Sequence, residues 1–91
     1  MKLKIHELFS SRGMTRVLCC LLLYGEVNIT RLTKETKLNH KQVRKYVNRL
    51  IKLGIAEEKQ FGNVKIIRCK PENKYVKLLM SFVREWEKLS S

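Results

Sequence analysis

Apolar side chains recur at helical spacing along most of this chain, interrupted at a few positions by small or turn-forming residues. In Met1–Ser10, Ile5, Leu8 and Phe9 fall on one helical face, which predicts a short amphipathic helix; Ser10-Ser11-Arg12-Gly13 then offers a break or a cap, and the pattern fits either a bend there or one continuous helix. Met14–Tyr24 is apolar nearly all round. A helix without a polar face must be surrounded, so this one is expected at the centre of the domain, ended by Gly25. Glu26-Val27-Asn28-Ile29 reads as a short extended connector, and Thr30 as the N-cap of a short helix, Arg31–Thr36, with Leu32 inward. Lys37 and Leu38 make a tight turn. Asn39 then caps the next helix, with Gln42 three residues on to complete a capping box.

That helix, His40–Leu53, carries the sharpest pattern. At 100° per residue, Val43, Val47 and Leu50 share one side, flanked by Tyr46, Ile51 and Leu53. Lys41, Arg44, Lys45, Asn48 and Lys52 fall opposite, with Gln42 and Arg49 at one edge. Gly54 stops the helix. Ile55–Gln60 and Val64–Lys70 read as two strands of a hairpin, joined across Phe61-Gly62-Asn63, with Phe61 expected to fold back onto the hairpin. Pro71 ends the second strand. Glu72–Leu89 reads as a last helix, on which Tyr75, Leu79, Phe82, Trp86 and Leu89 keep 4-3-4-3 spacing and Val76, Leu78 and Val83 widen the stripe. The fold class is mainly α with a small β-hairpin (α+β), and the length of 91 residues suits one small domain.

Charge changes the picture. Twenty Lys and Arg face eight acids, all Glu, for a net +12. Residues 31–52 hold eight basic residues and one acid, more than half of the excess, so the charge marks a surface. The plainer reading, a Lys-rich and heat-tolerant exterior, predicts balanced charge and is disfavoured. Lys37–Lys52 contains no acid at all, so a merely solvated helix face lacks the local Glu partners that usually accompany it. The most apolar run, Val17–Tyr24, is eight residues long, well short of the roughly 20 that a membrane-spanning helix needs. Neither that span nor a secretory signal is read, so a cytoplasmic protein is expected, nucleoid-associated if prokaryotic. Cys19, Cys20 and Cys69 have neither disulfide-framework nor zinc spacing and read as reduced core fillers. The chain has no Asp, no Gly-rich phosphate loop and no Ser/His/Asp set, which argues against an enzyme. No metal site or cofactor is expected.

The residues Ile29-Thr30-Arg31-Leu32, Leu38-Asn39, Val43, Val47, Leu50 and Leu53-Gly54-Ile55, followed by a Gly-containing hairpin, resemble the winged helix-turn-helix family of DNA-binding regulators, in the broad sense that includes MarR-like and ArsR-like repressors. The resemblance covers residues 14–70. It implies an N-terminal helix or arm over 1–13, a winged helix-turn-helix over 14–70, and an extra C-terminal helix over 71–91. Lys37 departs from it, standing where the family often has Gly.

By position in the motif, His40, Lys41, Gln42, Arg44 and Lys45 are expected to reach the major groove of double-stranded DNA. Asn48, Arg49 and Lys52, together with Thr30 and Arg31 at a helix start, are expected to meet phosphates. In the wing, Lys59, Gln60, Asn63 and Lys65 suit the minor groove or backbone. Tyr75, Leu79, Phe82, Trp86 and Leu89 are the expected seam of a homodimer, the competing reading being that the last helix closes the monomer's own core. The alternatives in function are a winged-helix module for protein or RNA interaction, and a thiol sensor. The cationic face disfavours the first, missing exposed aromatics disfavour RNA, and buried thiols disfavour the sensor. An effector ligand is not indicated.

Overall fold

The computed structural model describes residues 3–91, so Met1 and Lys2 of the expected first helix lie outside the described residues. Helix α1 (Ile5–Leu8) is a single turn that sends Leu8 into the core, leaving Ile5 exposed. The chain then bends, and Ser11 caps α2 (Arg12–Tyr24) by accepting from the Met14 N–H at 3.1 Å. Helix α2 is the central helix, as its apolar character predicts. Met14, Val17, Leu18, Leu21 and Leu22 are all buried. Its enclosure is incomplete, however: Leu23 and Tyr24 of its last turn are exposed. Gly25 ends the helix at a φ of 78°, its N–H returning to the Leu21 carbonyl.

The expected extended connector is a true strand, β1 (Glu26–Asn28). It pairs antiparallel with β3 (Val64–Cys69), whose other edge pairs with β2 (Ala56–Phe61), giving the sheet order β1-β3-β2. The register places Phe61 opposite Val64. The hairpin connection is therefore two residues, Gly62-Asn63, not three, and Gly62 takes a positive φ to make it. Alternation along the paired strands turns Ala56, Ile67 and Cys69 inward together with Val27 of β1.

Helix α3 (Ile29–Thr36) begins earlier than expected. Its N-cap is Asn28, which accepts from the Arg31 N–H at 2.7 Å, and Thr30 sits inside the first turn instead. Burial of Ile29 at the junction decides this: the helix must start where that side chain enters the core. Lys37 closes α3 in the left-handed region at φ 59°, the backbone that a glycine would adopt freely. Helix α4 (His40–Lys52) follows the Asn39 cap and packs Val43, Val47 and Leu50 against α2 and α3. Helix α5 (Lys74–Ser90) begins two residues later than expected, at the Asn73 cap. The Asn73 side chain also donates to the Gly54 carbonyl at 3.0 Å, tying the start of α5 to the end of the α4 region. Only Val76 of α5 is fully buried.

Candidate nucleic-acid interface

The local sequence of α4 fixes where its side chains point. Asn39 Oδ1 accepts from the Gln42 N–H at 2.8 Å and Gln42 Oε1 accepts from the Asn39 N–H at 3.2 Å, so both predicted halves of the capping box form. The helix is anchored on its inner side by three fully buried side chains and by Tyr46, which lies over Gly13 at the start of α2. A Cβ at Gly13 would sit 2.7 Å from the Tyr46 ring, so any larger residue there would have to displace the ring. With that side fixed, Lys41, Lys45, Asn48, Arg49 and Lys52 emerge on the exposed side, and His40 and Gln42 at its first turn are exposed as well.

The start of α3, the start of α4 and the tip of the hairpin converge. A groove of about 510 Å³ between them is lined by Asn28, Ile29, Thr30, His40, Arg44, Asn63, Val64 and Lys65. Five of the side chains expected to meet nucleic acid thus share one concavity: Thr30, His40, Arg44, Asn63 and Lys65. The remaining cations of α4 extend beyond it. Lys59 and Gln60 lie on the exposed outer part of β2, and Gln60 donates to the Gly62 carbonyl at 3.1 Å across the turn. Alternation places Lys59 and Gln60 on opposite faces of the hairpin.

Several of the expected contacts are already engaged: beyond Gln42 in the capping box and Gln60 across the turn, Arg31 and Arg44 have partners on neighbouring groups. Arg31 lies over the Tyr24 ring, its guanidinium carbon 4.2 Å from the centroid, and is 3.8 Å from Glu35 one turn along α3. Arg44 donates to Glu58 of β2 at 2.5 Å and approaches Asn48 Oδ1 at 3.4 Å. The cationic run has no local acid, as its sequence shows, but it does have an acidic partner in space. The partner comes from the neighbouring strand, 14 residues away, where helical spacing gives no sign of it. Glu58 and the capping Asn28 are the two functional neighbours that sequence reasoning missed. Phe61 is corrected: it is 64% exposed beside the exposed Val64, because its face of the hairpin tip has nothing to fold against.

The other feature of the surface is apolar. Leu79, Met80 and Val83 of α5 pack at the edge of the core, so the inner side of the helix does close the monomer. Its outer side does not: Phe82 is 58% exposed, Trp86 59% and Leu89 85%, with the Phe82 and Trp86 rings 5.9 Å apart. Tyr75 is only partly exposed, its hydroxyl 3.4 Å from the Leu3 N–H. All three thiols are protonated more firmly than usual. Burial raises Cys69 to about 12, and burial is also the main cause of the upward shifts at Cys19 and Cys20. Cys19 is half-buried rather than buried as expected, yet the direction of its shift disfavours a reactive thiolate. Among the described residues, no group of three or more His, Cys, Asp or Glu is placed to hold a metal ion, and no helix is long and apolar enough to cross a membrane.

No protein-family model matches the chain, and no curated protein sequence does. Solved structures match clearly. Reduced HlyU from Vibrio cholerae superposes with a TM-score of 0.74 at 15% identity, over 90% of this chain and 82% of that one. The antimony-specific transcriptional repressor AntR gives 0.71 at 17% identity, over 92% and 74%. A MarR family transcriptional regulator from Silicibacter pomeroyi gives 0.63 at 22% identity, over 86% and 57%. This chain has the winged-helix fold that its sequence resemblance implied.

Proposed function

We propose that this protein is a transcription regulator that binds double-stranded DNA sequence-specifically, as a homodimer and without enzymatic activity. One observation carries the reading. The outward face of α4 has many cations and no acid of its own, and it opens onto a groove shared with the start of α3 and the tip of the wing. A helix fits the major groove of B-DNA, and Lys, Arg, Gln and Asn are the side chains that reach guanine and adenine edges. His40, Lys41, Gln42 and Lys45 stand at the leading turns of α4, where base edges come nearest. Asn48, Arg49 and Lys52 lie further along and suit phosphates, as do Thr30 and Arg31 at the start of α3. Lys59, Gln60, Asn63 and Lys65 suit the adjacent minor groove or backbone. Residues 71–91 serve as the dimerisation helix, with Phe82, Trp86 and Leu89 as the centre of the seam and Tyr75 and Leu79 at its inner end. Such a dimer would present its two α4 helices to successive major grooves, about 34 Å apart.

The test is binding to a random duplex pool with selection, followed by a salt series on the recovered sequence. An inverted repeat should be enriched. If roughly 6–10 phosphates are neutralised, affinity should fall about 10³–10⁵-fold between 50 and 200 mM salt. Absence of binding at low salt, or a response flat in salt, would overturn the reading.

A further inference from the structure

Glu57 and Glu58 are the only acids between Lys37 and Lys70, and they face different ways. Glu57 lies 3.0 Å from Arg68, opposite it in the register, on the face of the sheet away from α4. Glu58 reaches the other face and meets Arg44, so it is the carboxylate set against the cationic helix. The pair is half-buried, with about a third of the Arg44 side chain and a quarter of the Glu58 side chain exposed (33% and 25%). Arg44 also lines the groove beside Thr30, His40 and Lys65. Its guanidinium has five donors in a fixed fork, and the pair with Glu58 and the approach to Asn48 use the same nitrogen, Nη1.

We propose that Glu58 is a specificity-determining residue: it withholds the charge of Arg44 from phosphates and holds the guanidinium as an oriented donor toward a base edge. This inference rests on the DNA-binding reading above and adds a division of labour within the face. Lys52, further along α4, is a flexible point charge that any phosphate can satisfy, whereas Lys41 and Lys45 reach toward base edges with single ammonium heads. Arg44 is a neutralised, two-sided bridge between helix and wing. A phosphate gains little from it, because the Glu58 carboxylate already offsets the charge that a phosphate would otherwise neutralise. A guanine edge gains more, because it needs two aligned donors and finds the fork already ordered. The same bridge fixes the wing against α4, so that groove contacts on both sides form in one register.

The experiment compares wild type, Glu58→Gln, Arg44→Gln and the double variant on two duplexes, the selected operator and a scrambled sequence, over a salt series. Thermal unfolding by circular dichroism first verifies that each variant folds. Glu58→Gln should bind the scrambled duplex several-fold more tightly at low salt. Its log–log salt slope there should steepen by about 0.9, the signature of one more phosphate contact. The operator-to-scrambled ratio should fall about tenfold or more. Glu58→Gln made on top of Arg44→Gln should produce none of that steepening, since its effect acts through Arg44. A scrambled-duplex slope that stays at the wild-type value in Glu58→Gln, or steepening that persists without Arg44, overturns the proposal while leaving the function intact. A wild type that binds neither duplex at 50 mM salt removes the function and the proposal together.

Discussion

Helices α4 and α5 are both amphipathic, and they resolve that property in opposite ways. In α4 the apolar side is satisfied inside the domain: Val43, Val47 and Leu50 are fully buried, and what is exposed is polar, much of it cationic. In α5 only Val76 is fully buried, and the remainder includes Phe82, Trp86 and Leu89 in water. The geometry accounts for the difference. Helix α4 is flanked by α2, α3 and β2, whereas α5 leans chiefly on α2, along one side. A helix held on several sides is a rigid platform for its polar face. A helix held on one side exposes whatever its other side carries, and burying two aromatics and a leucine on association would stabilise a complex by several kcal/mol before ordering costs are counted.

The comparison breaks first at stability. Leu50→Ala should cost about 2–5 kcal/mol in urea unfolding, since a large side chain is removed from a closed core, while Phe82→Ala in the monomer should stay within about 0.5 kcal/mol. Equal losses would mean that α5 is as integral to the monomer as α4. A second experiment sharpens the contrast at the seam. Phe82→Glu with Trp86→Glu should sediment as a folded monomer and weaken binding to a two-half-site duplex about 100-fold, or roughly 2.7 kcal/mol, with little change on one half-site. A wild type that sediments as a monomer at micromolar concentration would end the dimer proposal. Smaller is the effect of Gly13→Ala. The added methyl must push the Tyr46 ring aside, at about 1–2 kcal/mol or less, and the NMR shifts around Tyr46 in α4 should move more than those of α5. Asn39→Ala removes one half of the capping box and should cost about 1 kcal/mol or less, read as faster amide exchange in the first turn of α4.

What could be read from sequence follows the range of each interaction. The α4 phase, its capping box and the glycine stops are set by residues three or four apart, and all are present as expected. Strand β1 was seen only as an extended piece, because three residues carry no periodicity of their own and pairing with β3 is what makes them a strand. Thr30 and Asn28 are both good caps by residue type, and burial of Ile29 chose between them. On the candidate surface, helical phase identified which side chains emerge. It could not show that Arg44 meets Glu58, since that pair depends on the tilt of the hairpin against the helix. Nor could the apolar spacing of α5 distinguish a core from a seam: the same stripe has Leu79 against the body and Trp86 outside it.

The exposed aromatic stripe ties the fate of the protein to its abundance. In the proposed dimer each subunit is the other's stabilising ligand, so folding and association obey one mass-action balance. Well above the dissociation constant, every tenfold rise in concentration adds about 1.4 kcal/mol to the free energy of the bound state. The melting temperature should therefore climb with concentration in calorimetry. In a cell, scarce copies would be the ones that open and are degraded. Dilution would then lower the stability of each copy as well as empty its sites.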